Sequence, residues 1–279
     1  MLFSLIIPTK GREAELGRLL LSLEEQTFQD FEIIVSDQNQ DDRLVPLLRH
    51  SKWGDRLIHL RNTGGASKAR NEGIERARGE FVCFPDDDCT YPPQLLQHVT
   101  EFFDTHPEYG YLCGRSYADD GGDAVSRHAT SAAPIHRQTV YAQCIEFALF
   151  IRRSSLGALR FDEMMGPGAP SEWHSDEGPD LVLRLEESGI IGYYDPGIAA
   201  WHPKMIDTYD AASIKRSFYY GCANGYFMRK HGYSLPFFYT TIIRTLCGVA
   251  WACLTLHPGR ARFYLARIRG RWKGWQGAR

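Results

Sequence analysis

The 279-residue chain is 43% hydrophobic and 24% charged, which excludes wholesale disorder and leaves room for one large or two modest packed domains. Seven scattered cysteines show neither a CxxC pair nor a zinc-ligand spacing, so the chain is expected in a reducing compartment rather than stapled by disulfides. The net charge of −2 hides a division, because Ala211 to Arg279 carries twelve Lys/Arg and no Asp or Glu, leaving 20 basic against 34 acidic residues before it. That asymmetry predicts a working domain over 1–209 and a basic appendage over 210–279 suited to an anionic surface.

In chain order, Met1 to Pro8 lacks a basic leader, and its apolar run is too short for a signal peptide, so Leu2 to Ile7 reads as a first strand. Leu16, Leu19, Leu20 and Leu23 then recur at helical spacing. Phe31 to Val35 and Leu57 to Leu60 are predicted strands, followed by a helix with Ala69, Ile74 and Ala77 inward and a strand at Phe81 to Phe84. A further helix begins near Pro93, with Leu95, Leu96, Val99, Phe102 and Phe103 on its apolar face. This alternation predicts an α/β fold, a mostly parallel sheet flanked by helices, whose ligands gather at the carboxyl ends of the strands. The stretch from Tyr111 to Gly168 gives no clear pattern, whereas Asp180 to Glu187 reads as a helix and Ile190 to Tyr194 as a strand.

The most informative run is Phe84-Pro85-Asp86-Asp87-Asp88, three carboxylates at the end of a buried strand. Such groups repel one another, so the cluster is read either as a solvated acidic turn or as a seat for a hard divalent cation such as Mg²⁺ or Mn²⁺. Pro8-Thr9-Lys10-Gly11-Arg12 offers a hydroxyl, backbone donors and two cations at the first strand end. Asp37 ends the second strand, as a turn cap or as an acceptor for a base N–H or ribose hydroxyl. Gly64-Gly65-Ala66-Ser67-Lys68-Ala69-Arg70 opens a helix with a basic first turn that can approach a phosphate, although it is neither a Walker loop nor GxGxxG. Asp176, Glu177 and Asp180 precede or begin a helix, where a carboxylate serves either as a cap or as a general base. His202, directly after a strand-like segment, is a structural histidine or a nitrogen ligand for Mn²⁺.

Taken together, Ser4-Leu5-Ile6-Ile7-Pro8-Thr9, Phe31 to Asp37, Gly64 to Gly73, Asp86-Asp87-Asp88, Glu177-Gly178-Pro179-Asp180-Leu181 and Trp201-His202 resemble the inverting family 2 glycosyltransferases of the GT-A fold. The resemblance runs to about residue 205. It implies a Rossmann-like GT-A domain that moves a sugar from a nucleotide-diphosphate donor, most commonly a UDP-sugar, to an acceptor hydroxyl. Pro8, Thr9, Arg12, Asp37, Lys68, Arg70, Asp86 and Asp87 would line the donor site, with Asp88 and His202 on the metal. The family often shows Glu-Asp before the late helix, with the Asp as base. Here those positions read Glu177-Gly178, so Glu177 inherits the role, with Asp176 its rival and Asp180 in the same turn.

Leu265, Ile268, Trp272 and Trp275 share one helical face in the basic stretch Arg260 to Arg279, the pattern of a segment lying on anionic lipid. The alternative is an ordinary helical subdomain. Phe237 to Leu256 is apolar but interrupted by Arg244, and its uncharged part is short for a membrane span. Gly221 to Gly225 fits GxxxG and is read as close local packing. No nucleic-acid recognition motif is found. The expectation is therefore a cytoplasmic enzyme, peripheral on the inner membrane face, that uses a glycan or lipid-linked acceptor in cell-surface polysaccharide or lipopolysaccharide assembly. A sugar nucleotidyltransferase would want a glycine-rich loop after the first strand, and a non-catalytic membrane adaptor would have lost the carboxylates that are present.

Overall fold

The structure, a computed structural model, describes residues 1–49 and 52–277. The chain forms two compact units, Met1–Phe161 with Leu181–Met205 and Asp162–Asp180 with Ile206–Arg279. The charge switch near Tyr209 lies close to the second boundary, but composition does not mark 162–180 as part of the basic unit.

In the first unit the strands are β1 (Phe3–Thr9), β2 (Phe31–Asp37), β3 (Leu57–Arg61), β4 (Phe81–Cys83), β5 (Tyr111–Tyr117), β6 (Ala133–Pro134), β7 (Leu149–Arg152) and β8 (Gly192–Trp201). They form one mixed sheet in the order β3-β2-β1-β4-β7-β5-β8-β6. The first four in that order are mutually parallel, as is β5 with β8, while β7 runs antiparallel between β4 and β5 and β6 antiparallel on β8. Every residue of β1 and β2 is buried, as a strand covered on both faces requires. Helices α1 (Ala14–Glu24), α3 (Ala66–Arg76) and α4 (Leu95–Thr105) connect the early strands, with α2 (Val45–Arg49) a short turn between them. Two further short turns, α5 (Val140–Gln143) and α6 (Arg153–Leu156), flank β7. The predicted leucine stripe of α1 is its buried face, and the rings of Phe3, Phe81, Phe103 and Phe150 meet in the core beneath β1 and β4.

Two differences from the sequence reading have local causes. β8 continues to Trp201, well past the expected Tyr194, because a register shift opposite Cys113 and Arg115 absorbs the Asp195-Pro196-Gly197 turn signal. The patternless stretch after Tyr111 supplies β5 to β7, whose partners are remote in sequence.

Glu32 is fully buried in β2, which no sequence period would favour. Its carboxylate accepts from the Ser4 hydroxyl at 2.7 Å, the Arg78 amide at 2.7 Å and Arg78 Nε at 2.8 Å. Burial pushes the carboxyl up, but Ser4 and Arg78 outweigh it, and the net shift is below the ordinary glutamate range.

The second unit contains α8 (Ala211–Lys230), α9 (Leu235–Leu254) and α10 (Pro258–Gly277); the tail's last residues, Ala278 and Arg279, lie outside the described residues. Between the two units in sequence, α7 (Glu177–Glu187) begins three residues earlier than expected, with Pro179 in its first turn. The GxxxG of α8 meets a second one on α10. Gly221 and Gly225 face the carbonyls of Arg267 and Arg271, and Gly270 and Gly274 face those of Phe218 and Cys222, so closely that an added methyl would overlap the oxygen. The Arg271 guanidinium ties the three helices together, donating to Asn224 Oδ1, the Thr241 carbonyl and Thr245 Oγ1.

Replacing Arg78 with Ala strands a buried carboxylate and is expected to cost about 1–3 kcal/mol in denaturant unfolding at neutral pH. Because the Glu32 shift is downward, its stabilisation is present above the ordinary glutamate pKa and fades as pH falls through the lowered value, so the gap between wild type and Arg78→Ala should shrink in acid. Gly274→Leu should destabilise the protein by roughly 3 kcal/mol, since backbone overlap outweighs the gain in helix propensity. Denaturant titration followed by circular dichroism measures both.

Candidate active site

The carboxyl ends of β1 and β4, neighbours in the sheet, build the core of the site. The chain leaves β1 at Thr9 and turns at Gly11, whose φ of 73° suits glycine and whose amide donates to Asn39 Oδ1 at 2.7 Å. That turn brings Arg12 across to the acidic run, 2.8 Å from Asp87 Oδ1 and 2.5 Å from Asp88 Oδ2. On the other side Arg70 is drawn inward from the first turns of α3, with its guanidinium 2.9 Å from Asp86 Oδ1 and over the Phe161 ring. After β8, His202 places Nε2 3.3 Å from Asp88 Oδ1. Its Nδ1 lies 2.7 Å from the Pro203 carbonyl, a contact that orients the ring with Nε2 toward the carboxylate. The Phe147 ring stacks on the imidazole at 5.0 Å, and the Phe147 carbonyl is held by the Tyr91 hydroxyl at 2.7 Å.

The three carboxylates are tuned differently. Burial pushes the Asp87 carboxyl up to about 6, helped by the like charge of Asp86 and opposed by Arg12. Asp88 is also raised by burial, but the His202 ring and Arg12 outweigh this and its net shift is downward. His202 moves the opposite way, since the Asp88 charge outweighs the burial that would lower it.

One ligand atom from each of Asp86, Asp88 and His202 fits within a 4.8 Å cluster. Asp88 Oδ1 is shielded from solvent and accepts no hydrogen bond of good geometry. Two carboxylate oxygens and an imidazole nitrogen, one of them a buried acceptor without a donor, suit Mn²⁺ or Mg²⁺. Arg12 and Arg70 add positive charge on either side, where phosphate oxygens would be stabilised.

Asp37 stands beside Thr9 in the β1–β2 register. Its Oδ1 accepts from the Asn39 amide and side chain, and its Oδ2 is 2.8 Å from His59 Nε2 and 3.3 Å from Arg61. The turn-capping reading of Asp37 is thus realised whatever else the carboxylate does. His59, Arg61, Asn39 and Phe147 were missed in the sequence. The parallel β2–β3 register, which aligns Asp37 with Arg61, was the signal that could have found Arg61. Lys68 stays at the surface, 3.9 Å from Glu72.

Asp176, Glu177 and Asp180 belong to the second unit. Asp180 is fully buried, with Oδ1 2.9 Å from His231 Nε2 and 2.7 Å from Lys230 Nζ; Lys230 also reaches Asp162 at 2.7 Å. Its geometry is that of a structural clamp on the start of α7. Glu177 is buried, whereas Asp176 is half-buried and holds a left-handed φ of 66°. The segment carrying them is fixed to the helices by the Trp173–Tyr226 and His174–Tyr219 ring stacks and by Lys273 on Glu172.

A mostly parallel mixed sheet with helices on it and a carboxylate–histidine cluster at the strand ends defines a GT-A fold. Residues 4–162 match the model of Glycosyl transferase family 2, and the chain belongs to that family. It is 38% identical over 89 residues to the GalNAc(5)-diNAcBac-PP-undecaprenol beta-1,3-glucosyltransferase of Campylobacter jejuni, a match covering 30% of this chain and 29% of that protein. Matches to three curated relatives cover 37%, 29% and 19% of their own lengths. In architecture the chain is similar to residues 1–349 of Staphylococcus aureus TarS, solved with UDP-GlcNAc, at TM-score 0.59 and 18% identity, covering 99% of this chain and 92% of that one. It is also similar to the mannosyltransferase PcManGT of Pyrobaculum calidifontis, solved with GDP-Man and Mn²⁺, at TM-score 0.62 and 14% identity over 98% and 86% of the two chains.

Asp88→Asn should weaken Mn²⁺ binding, read by calorimetry, by roughly 10–100-fold while leaving the circular dichroism spectrum unchanged. Unaltered Mn²⁺ affinity would remove Asp88 from the ligand set.

Proposed function

We propose that the protein transfers a sugar from a nucleotide-diphosphate donor to an acceptor hydroxyl with inversion, in the assembly of a cell-surface polysaccharide or lipopolysaccharide. The observation that carries this reading is the Asp86, Asp88 and His202 cluster flanked by Arg12 and Arg70 in a family 2 chain. Neighbours solved with UDP, UDP-GlcNAc and GDP-Man support a nucleotide-sugar donor, with a UDP-sugar the first choice. The domain carrying these groups is proposed to span 1–209, with 210–279 as a membrane-associating region.

Asp88 and His202 are the proposed holders of a divalent ion, with Asp86 beside them near the ribose; when bound, such an ion supplies Lewis-acid neutralisation of a departing diphosphate. Arg12 and Arg70 offset phosphate charge, and Asp87, held by Arg12, keeps that guanidinium oriented. Pro8, Thr9, Asp37 and Lys68 are assigned to the nucleotide side. In the transfer, the acceptor oxygen forms its bond to the anomeric carbon from the face opposite the diphosphate. The carbon–oxygen bond to the diphosphate breaks with its electron pair, and the acceptor proton passes to a carboxylate. The family pattern favours Glu177 as that base. The half-buried carboxylate and left-handed backbone favour Asp176, since strain of this kind collects where a side chain must be aimed. Asp180, committed to His231 and Lys230, holds the helix start. A location at the inner face of the cell membrane is supported by the basic second unit and by the undecaprenol-linked substrate in the Campylobacter relative's name.

The test compares Glu177→Gln with Asp176→Asn against a panel of nucleotide sugars and acceptors. The variant lacking the base should bind donor normally yet lose roughly 10²–10⁴-fold in kcat. Failure of the wild type to bind any nucleoside diphosphate in the presence of Mn²⁺ would sink the transferase reading itself.

A further inference from the structure

The helix α9 is covered on one side only. Phe238, Thr245 and Ala252, seven residues apart, form its buried stripe, while Leu235, Ile243, Leu246, Trp251 and Leu254 on the remaining surface are 45–79% exposed. Among the described residues it is the one helix long and apolar enough to cross a membrane. Large apolar side chains exposed together along one helix face mark a surface suited to meet an apolar phase.

The turn that follows adds an independent observation. Leu256 closes α9 in a left-handed conformation (φ 56°), with the His257 amide on the Ala252 carbonyl at 2.8 Å, a helix stop normally given to glycine. A leucine there is strained, and its side chain is 85% exposed. Water rewards neither feature; an apolar phase would reward the second.

Charge selects the occupant. The stretch from residue 211 carries only positive formal charges, with Arg244 on α9 and Arg262 and Arg269 on α10 all exposed. On α10 those arginines share the outward stripe with Leu265, while Trp275 and the partly exposed Trp272 pack on Phe238 at ring separations of 4.5 and 5.9 Å. The four apolar residues expected on one lipid-facing side of the tail are therefore divided, and α9 carries the larger apolar surface. A second copy of the chain would set like charges against each other across a two-fold interface. A full span is disfavoured because Arg271 is bonded to the inner side of α9 and would be drawn into hydrocarbon.

We propose that the exposed face of α9 and its Leu254–Leu256 turn lie flat in the headgroup–acyl boundary of an anionic bilayer, with Arg244, Arg262 and Arg269 on lipid phosphates. This deepens the membrane reading above and rests on it. It also names the acceptor class. The segment bearing Asp176 and Glu177 is bound into the same unit through the Trp173–Tyr226 stack and Lys273–Glu172, so this unit would work on an amphiphilic acceptor held at the bilayer surface.

The experiment is co-sedimentation of the full chain with vesicles of equal parts phosphatidylglycerol and phosphatidylcholine, and with phosphatidylcholine alone. Wild type should prefer the anionic vesicles, less so in high salt, and brominated acyl chains should quench a signal lost in Trp251→Phe. Ile243→Glu and Leu254→Glu should each weaken binding by roughly tenfold. Leu256→Gly should bind vesicles more weakly yet unfold at a higher denaturant concentration, because glycine relieves the strained φ. The proposal falls if Leu254→Glu binds like wild type, if binding is to charge alone and indifferent to the apolar substitutions, or if Leu254→Glu instead dissolves a dimer formed without lipid. UDP binding with Mn²⁺, measured on the same samples, separates the two readings. Vesicle binding lost with nucleotide binding intact removes the membrane proposal alone, and the converse removes the transferase reading alone.

Discussion

Three adjacent carboxylates cannot all stay ionised at the end of a buried strand unless positive charge is brought to them, and much of the first unit is arranged around that need. Arg12 arrives from the turn after β1, Arg70 from the start of α3 and His202 from the end of β8. Each supplier lies on a different element, so the charge balance exists only when the sheet order is complete. Attraction beats desolvation at Asp88 but not at Asp87, which lets one group of three present an acceptor-rich face and a protonatable one side by side. The balance also leaves Asp88 Oδ1 buried without a hydrogen-bond donor, a condition a divalent cation would relieve.

The second unit meets a different constraint. Glycines on α8 and α10 let their backbones touch, and Arg271 spends its donors across three helices, so these helices form a rigid platform with α9 laid along one side. Loop 162–180 is fastened to that platform by two ring stacks and the Asp162–Lys230–Asp180–His231 chain. Such fastening holds the segment that bears Asp176 and Glu177 against the helices of its own unit. Among the described residues the apolar side of α9 stays exposed, and basic side chains accompany it.

How much of this was legible from the residues follows from the range of each interaction. Periodicity located β1, β2 and β4 to within a few residues, because burial on both faces writes a continuous apolar run into the sequence, and it also found β3, a half-exposed edge strand. The same reading failed from Tyr111 to Gly168, where β7 is inserted antiparallel between β4 and β5 and no local period records its neighbours. It also ended β8 at Tyr194, whereas a register shift with β5 lets the strand run on to Trp201. Asp37 was found as a strand-end carboxylate, but its engagement by His59 and Arg61 was not, since it depends on which strand lies next to β2.

By itself the sequence determined the acidic run, the order of its motifs, the family resemblance and the charge asymmetry, all of which are properties of neighbours along the chain. Only the tertiary structure decided that His202, more than a hundred residues away, faces Asp88, that Asp180 pairs with Lys230 and His231, and that α9 rather than α10 shows the larger apolar face. Those outcomes turn on which groups are close in space after burial has chosen their partners, and the energy of a charge or an apolar surface is set by that company rather than by its place in the chain.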